Sequence, residues 1–238
     1  MKILSIECSA GPASAAIIDE KKVVASSFVN VNLTHSQTLL PMIENMLKES
    51  STDICDISGI AVSAGPGSFT GVRIGISAAK GIAAPANLPC VAVSALDTMA
   101  EIFCASNCIL CAVMDARCGQ FYNSIYKIHN QTIEKLCPDR AIMHNELIDE
   151  IKTYTNENIL VCGDGAELFM SFAKDIPNIT IAPDAIRFQN AIGTALCAYD
   201  KFVSNNTVTH KELLPIYLRL PQSERELKAK NLSKESKK

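Results

Sequence analysis

Apolar positions along the chain change period in a set order, and that order is used twice. Residues 3–8, 15–19 and 23–29 are short apolar runs separated by turns at Gly11-Pro12 and Asp19-Glu20-Lys21-Lys22. They predict three strands. The period then lengthens: Leu39, Leu40, Ile43, Met46 and Leu47 form one stripe at helical spacing,. Thr34 with Gln37 three residues later predicts a capping box at the start of that helix. Pro41 inside the stripe removes one intrahelical bond, so a kink or weakening is expected. Residues 57–63 predict a fourth strand, about 71–84 a second helix and 90–94 a fifth strand, and a third helix closes the unit near Phe103. The order then restarts. Strands are predicted over 109–115, 121–128 and 132–136, followed by helix 144–153, strand 158–162 and helices 165–174 and 188–203.

A βββαβα pattern therefore appears twice, with little identity between the halves. It calls for an α/β protein with two mixed sheets, each combining hairpins with βαβ crossovers. Two flavodoxin-like units satisfy the same alternation. The expected organisation is a lobe over 1–104, a second over 105–222 and a polar tail over 223–238. That tail is rich in Lys, Glu and Ser, so it is expected to be disordered, either solvated or touching RNA through its lysine excess.

The most informative local signal is where strand 57–63 runs into Ala64-Gly65-Pro66-Gly67-Ser68. Gly65 and Gly67 tolerate positive φ and Pro66 fixes its own, so a sharp strand-to-helix turn is expected. Free N–H groups at the following helix start favour an anion. The stretch lacks the G-K-[ST] ending of a phosphate loop and the spacing of a dinucleotide fingerprint. A ligand-free tight turn fits the same residues.

Residues 64–75, Ala-Gly-Pro-Gly-Ser-Phe-Thr-Gly-Val-Arg-Ile-Gly, resemble the signature of the TsaB family, the non-catalytic partner of the tRNA threonylcarbamoyladenosine synthase TsaD. Other pieces agree in order: Ile3-Leu4-Ser5-Ile6-Glu7-Cys8-Ser9, His35-Ser36-Gln37 with Leu39-Leu40-Pro41, Met114-Asp115-Ala116-Arg117 with Tyr122, Gly163-Asp164-Gly165, and Pro215-Ile216-Tyr217-Leu218-Arg219. The resemblance covers about residues 1–220. It implies a two-lobed actin/Hsp70/sugar-kinase-like fold. It also implies a scaffold that supports transfer of a threonylcarbamoyl group to adenosine beside the anticodon of tRNAs reading ANN codons. The implied partners are a TsaD-like catalytic subunit, a TsaE-like ATPase, a second copy in isolation, and tRNA only through the complex. No cofactor is implied for the chain itself, any residual ATP or ADP belonging to the interface of the complex. The competing reading is a free-standing small-molecule kinase or metallohydrolase of the same fold.

Composition narrows these choices. The chain has 238 residues, 48% of them apolar, with no Trp and a net charge of −3. That is ample for an aliphatic core, and it argues against a surface built for non-specific nucleic-acid binding. No run reaches the roughly 18 apolar residues of a membrane span, and Glu7 interrupts any secretory segment, so a cytoplasmic protein is expected. Ten cysteines raise disulfide and metal readings. Cys104, Cys108 and Cys111 form the tightest cluster, but Cys108 and Cys111 fall three apart in a predicted strand and so point to opposite faces. No second Cys or His pair stands at zinc spacing, so reduced, buried cysteines are expected.

The residues able to carry chemistry are few. Glu7 ends the first strand, where in this fold an acid approaches nucleotide phosphates; a carboxylate capping the neighbouring turn is the other reading. With Ser9, Gly65, Gly67 and Ser68 it makes a candidate phosphate or nucleotide site. His35 stands four residues before Leu39. TsaD-like proteins carry a metal-binding HxxxH on the corresponding helix, so here the pair is broken and no metal site is expected. Arg73 suits an anion or a partner's carboxylate. Gly75 and Gly81 each cost a helix roughly 1 kcal/mol against Ala, which close packing within the lobe or with another chain would offset. The resemblance places a docking face on the first two helices, at His35, Leu39, Gly71, Arg73, Gly75, Ala78 and Ala79. No catalytic set is visible, neither a zinc helix nor a nucleophile with a base.

Overall fold

The computed structural model describes residues 1–31 and 33–219; the expected tail at 223–238 lies outside them. β1 (Lys2–Glu7), β2 (Ala13–Asp19) and β3 (Lys22–Val29) form an antiparallel meander. β4 (Ile57–Ser63) runs parallel to β1, and β5 (Cys90–Val93) parallel to β4, giving the order β3-β2-β1-β4-β5. The second sheet repeats the plan. β6 (Cys108–Asp115), β7 (Gln120–His129) and β8 (Thr132–Lys135) make its antiparallel part, and β10 (Ile159–Cys162) and β11 (Ile179–Ile181) its parallel part. A short β9 (Arg140–Met143) pairs with the free end of β7. This is the two-lobed actin/Hsp70/sugar-kinase-like architecture.

Strand alternation divides the first sheet between two cores. Leu4, Ile6 and Ile17 face α1 (His35–Glu49) and α2 (Phe69–Ala83), together with Leu39, Ile43 and Ile76. Ile3, Ile18, Val91 and Val93 face the other way, where Ala195, Ala198 and Phe202 of α7 (Ala191–Val203) cover them. Meanwhile α3 (Ala95–Ile102), which follows the first sheet in sequence, lays Leu96 and Met99 on Leu110, Ala112 and Met114 of the second. Each half therefore sends its last helix to the other half's sheet, and α3 and α7 cross at Gly193, where a Cβ would overlap the Thr98 carbonyl oxygen. The remaining face of the second sheet is covered by α4 (His144–Ile151) and α5 (Ala166–Phe172); α6 (Asp184–Arg187) is a single turn leading into α7.

The capping expectation at α1 is corrected. Thr34 caps α1 through its backbone, its carbonyl accepting from Gln37 and Thr38 N–H, while its side chain makes no cap bond because its hydroxyl faces that of Ser36. Pro41 does not break α1, which runs unbroken to Glu49. Pro41 and Gln37, whose carbonyl loses its intrahelical donor, both lie on the exposed side, where solvent is at hand,. The cysteines follow strand geometry. Cys111 sits with Val113 and Phe121, while Cys108 packs in the opposite core. Among the described residues no helix is long and apolar enough to cross a membrane.

Candidate functional site

The glycine turn joins β4 to α2 and rests on the end of β1. Gly67 is pressed against the Ser9 carbonyl oxygen, Gly71 against that of Cys8, and a Cβ at Gly75 would lie 2.7 Å from the Cys8 Sγ. Gly71 and Gly75 stand one turn apart in the first half of α2, with Gly67 in the turn before it, so the start of the helix can lie directly on residues 8 and 9. Gly65, at φ +109°, is covered in turn by the Ile216 carbonyl oxygen. The Ser68 N–H donates to Ser9 O at 2.6 Å, and the Ser68 Oγ accepts from Gly71 N–H at 3.3 Å. The N–H groups of Ser68 and Gly71 are thus engaged within the chain.

Between the two sheets lies a cleft of about 400 Å³, lined by Ser9, Gly67 and Ser68 on one side and Asp115, Arg117 and Asp164 on the other. Glu7 stands behind Ser9, fully buried, its Oε1 accepting the Ser9 N–H at 2.6 Å. This is the turn-capping arrangement. Its Oε2 and the Ser9 and Ser63 hydroxyls have no geometric partner, and burial raises the Glu7 pKa. Burial likewise pushes Asp164 up to about 6, against the Gln189 amide that donates to it at 2.8 Å. Asp115 accepts from the Arg117 N–H and pairs with its guanidinium at 3.1 Å. Arg219 donates to the carbonyls of Ala116 and Arg117. The cleft thus gathers Glu7, Ser9, Gly67 and Ser68 at one end, with Gly65 beneath the C-terminal segment, but its arginines are committed and its remaining charge is acidic.

A second concavity, a groove of about 730 Å³, runs between α1 and α2. Its walls are apolar: Leu40, half exposed, with Phe69, Ile74, Ala78 and Ile82. His35 sits at its end, its Nε2 bonded to the Ala10 carbonyl at 2.8 Å, and so ties the start of α1 to the turn after β1. Position 39 is a core leucine, 1% exposed. The residues of the expected docking face divide between two stripes. Gly71, Gly75 and Ala79 lie on the buried stripe of α2, while Leu39 is buried on α1 and also lines the groove. The outward stripe of α2 is Thr70, Arg73, Ile74, Ser77, Ala78 and Gly81. The 3.6-residue period separates the two stripes.

Sequence reasoning missed the contact that joins groove and cleft. Phe69 lines both. Tyr217 stacks on it at 4.6 Å between centroids, and Arg73 lies over its ring at 3.8 Å. The Arg73 Nε donates to the Tyr217 hydroxyl at 2.8 Å. Tyr217 is held there because the chain after α7 crosses the lobe. Val208 bridges to Cys90, Leu213 is buried in the core, and Ile216 N–H donates to Ala64 O at 2.7 Å.

Comparison with known proteins bears on both sites. A family model described as TsaD, tRNA N6-adenosine threonylcarbamoyltransferase, matches residues 29–215. The Escherichia coli (strain K12) protein named tRNA threonylcarbamoyladenosine biosynthesis protein TsaB is 31% identical over 221 residues, covering 92% of this chain and 95% of its own. The protein of that name from Bacillus subtilis (strain 168) is 29% identical over 232 residues, with 94% and 96% covered. Among solved structures, a Pseudomonas aeruginosa protein described as uncharacterized with similarity to peptidase YEAZ superposes with a TM-score of 0.78 at 22% identity, covering 92% of this chain and 99% of that one. Component A of Acidaminococcus fermentans (R)-2-hydroxyglutaryl-CoA dehydratase reaches 0.50 at 13% identity, covering 85% and 99%. These structural likenesses speak to the fold.

Proposed function

This chain belongs to the TsaB family, and from that premise we propose that it serves tRNA threonylcarbamoyladenosine biosynthesis as a non-catalytic subunit. It binds a TsaD-like catalytic subunit through the α1–α2 groove and supports that subunit's transfer of a threonylcarbamoyl group to adenosine. The observation that carries this reading is the groove itself: an open apolar surface beside a helix whose metal-ligand pair is broken. Its histidine is engaged with the Ala10 carbonyl, and the position four residues on is a buried leucine. Apolar surface of this kind on a soluble protein marks an interaction site. In isolation a second copy covers the same groove, so self-association and partner binding compete. A TsaE-like ATPase completes the assembly, and tRNA is held by the complex, in keeping with the net charge of −3.

The test is reconstitution. The purified chain, a TsaD-like subunit and a TsaE-like ATPase are combined with tRNA and a threonylcarbamoyl donor, and each component is omitted in turn. Modified adenosine is expected in the full mixture and absent with this chain alone, and gel filtration should show a complex of this chain with the TsaD-like subunit. ATP-dependent turnover of a small molecule by the isolated chain would overturn the reading in favour of a free-standing kinase.

A further inference from the structure

Among the described residues Arg73 is the one arginine or lysine lining the α1–α2 groove, and no acidic residue lines it. Its aromatic setting holds it in place: the guanidinium lies 3.8 Å over the Phe69 ring, and its Nε is bound to the Tyr217 hydroxyl. Among the described residues its two terminal nitrogens have no partner and no carboxylate pairs with it. A guanidinium held this way has already lost much of its rotamer freedom. It offers a planar pair of donors that matches a carboxylate bidentately, at the edge of a surface that would exclude water once covered. Arg73 is therefore preorganised for a negative group supplied by whatever fills the groove.

A second copy of this chain does not supply that group within the groove. A two-fold self-contact places the same surface on both sides, so it brings a second Arg73 and again no lining acid. We propose that Arg73 is the selectivity residue of the groove: it receives a carboxylate from the TsaD-like subunit, and it thereby favours that partner over self-pairing. The inference rests on the docking reading above and deepens it by naming the chemistry the partner must present. Tyr217 is a positioning residue for this contact, because it aims the fork without occupying it.

The experiment measures two associations of the full-length chain, with itself by sedimentation and with the TsaD-like subunit by titration calorimetry. It compares wild type with Arg73→Gln, Arg73→Lys and Tyr217→Phe, each first shown to be folded by circular dichroism. Arg73→Gln is expected to weaken the heterologous association by about tenfold or more, the range of a charge-assisted bond, while self-association stays equal or tightens. Lysine restores only part of the loss, because it keeps the charge but not the fork. Tyr217→Phe keeps the stack and falls between. Raising salt should weaken the wild-type heterologous complex more than the Arg73→Gln complex. In a second arm, Arg73→Glu is combined with Asp→Arg or Glu→Arg changes made one at a time on the surface of the TsaD-like subunit, and one such pair should recover affinity. Equal losses in both associations, no loss in either, or no restoring pair would overturn the proposal. A wild-type chain that binds no TsaD-like subunit would instead overturn the docking reading on which it stands.

Discussion

The groove between α1 and α2 and the cleft between the two sheets meet at Phe69, yet they are finished differently. In the cleft the polar groups mostly answer one another: Asp115 with Arg117, Asp164 with Gln189, Arg219 with two carbonyls, and the glycine turn with Ser9. In the groove an apolar wall is left open and one arginine lacks an acid. Concavity alone does not distinguish a binding surface from a seam. What distinguishes them is whether the groups present are already satisfied.

The comparison is most easily broken at the groove wall. Ser77→Arg places a long cation on the outward stripe of α2, at an exposed position that lines the groove. It should lower affinity for the TsaD-like subunit on the order of a hundredfold or more while leaving the thermal midpoint nearly unchanged. Titration against the partner, with a melting curve as control, checks both halves. Gly75 does not suit this test, because a side chain there meets Cys8 before it meets a partner.

At the cleft the opposite split is expected. Gly67→Ala drives a methyl into the Ser9 carbonyl at φ +157°, and should cost about 2–4 kcal/mol in chemical denaturation. The surface of α2 facing a partner is untouched. A variant that stayed as stable as wild type would mean that the turn is not the packing device described.

The buried acid of the cleft sharpens the contrast through pH. Asp164 titrates near 6 in the folded chain against an ordinary value of 3.8, because burial disfavours its charge. Its folded pKa is raised, so between about pH 4 and 6 the folded state holds a proton that the unfolded state has released. Its contribution therefore lowers stability as pH rises through that window, and the penalty is complete above 6. Asp164→Asn keeps an acceptor for Gln189 and should raise stability at pH 7.5 by about 2 kcal/mol, with little effect at pH 4. Denaturant midpoints at both pH values, wild type against variant, read this directly. An equal effect at the two values would sink it.

The smallest effect belongs to Gly81, on the exposed side of α2, where an added Cβ would meet nothing within 4 Å. Gly81→Ala should stabilise the chain by about 1 kcal/mol through helix propensity alone. Any loss of partner affinity in the same variant would show that the groove is filled closely at that point.

Much of this arrangement is legible in the sequence where a side chain's surroundings are local. The apolar runs of β1, β4 and β6 and the stripe of α1 announce themselves by period. The break between His35 and Leu39 is seen through the resemblance, which implies a histidine pair at that helical spacing. The register of α2 is not legible in the same way, because its small residues occur on both faces and composition does not say which face turns inward. The short β9 and β11 have too few residues to show any alternation. The exchange of α3 and α7 is hidden for another reason. Leu96 and Met99, or Ala195, Ala198 and Phe202, reveal that a face is buried but not against which sheet. The stack of Arg73, Phe69 and Tyr217 joins residues 144 positions apart, beyond the reach of any periodicity. Asp164 owes its burial to Gln189 and the cleft wall rather than to its flanking glycines.

The exchanged helices and the returning C-terminal segment have a consequence for how the molecule is made. As the chain leaves the ribosome, the first sheet is complete by residue 93, but the helix that roofs its rear face ends at Val203 and the leucine that closes its core is Leu213. While residues 94–190 are being added Ile3, Ile18, Val91 and Val93 wait uncovered, so the first lobe to be translated is the last to be finished. A fragment ending at residue 104 is expected to aggregate on expression and to regain solubility when 105–219 is supplied in trans; a soluble, cooperatively melting fragment would show that the roof is dispensable. The quality-control interval for this protein is therefore set by the arrival of its final fifty residues.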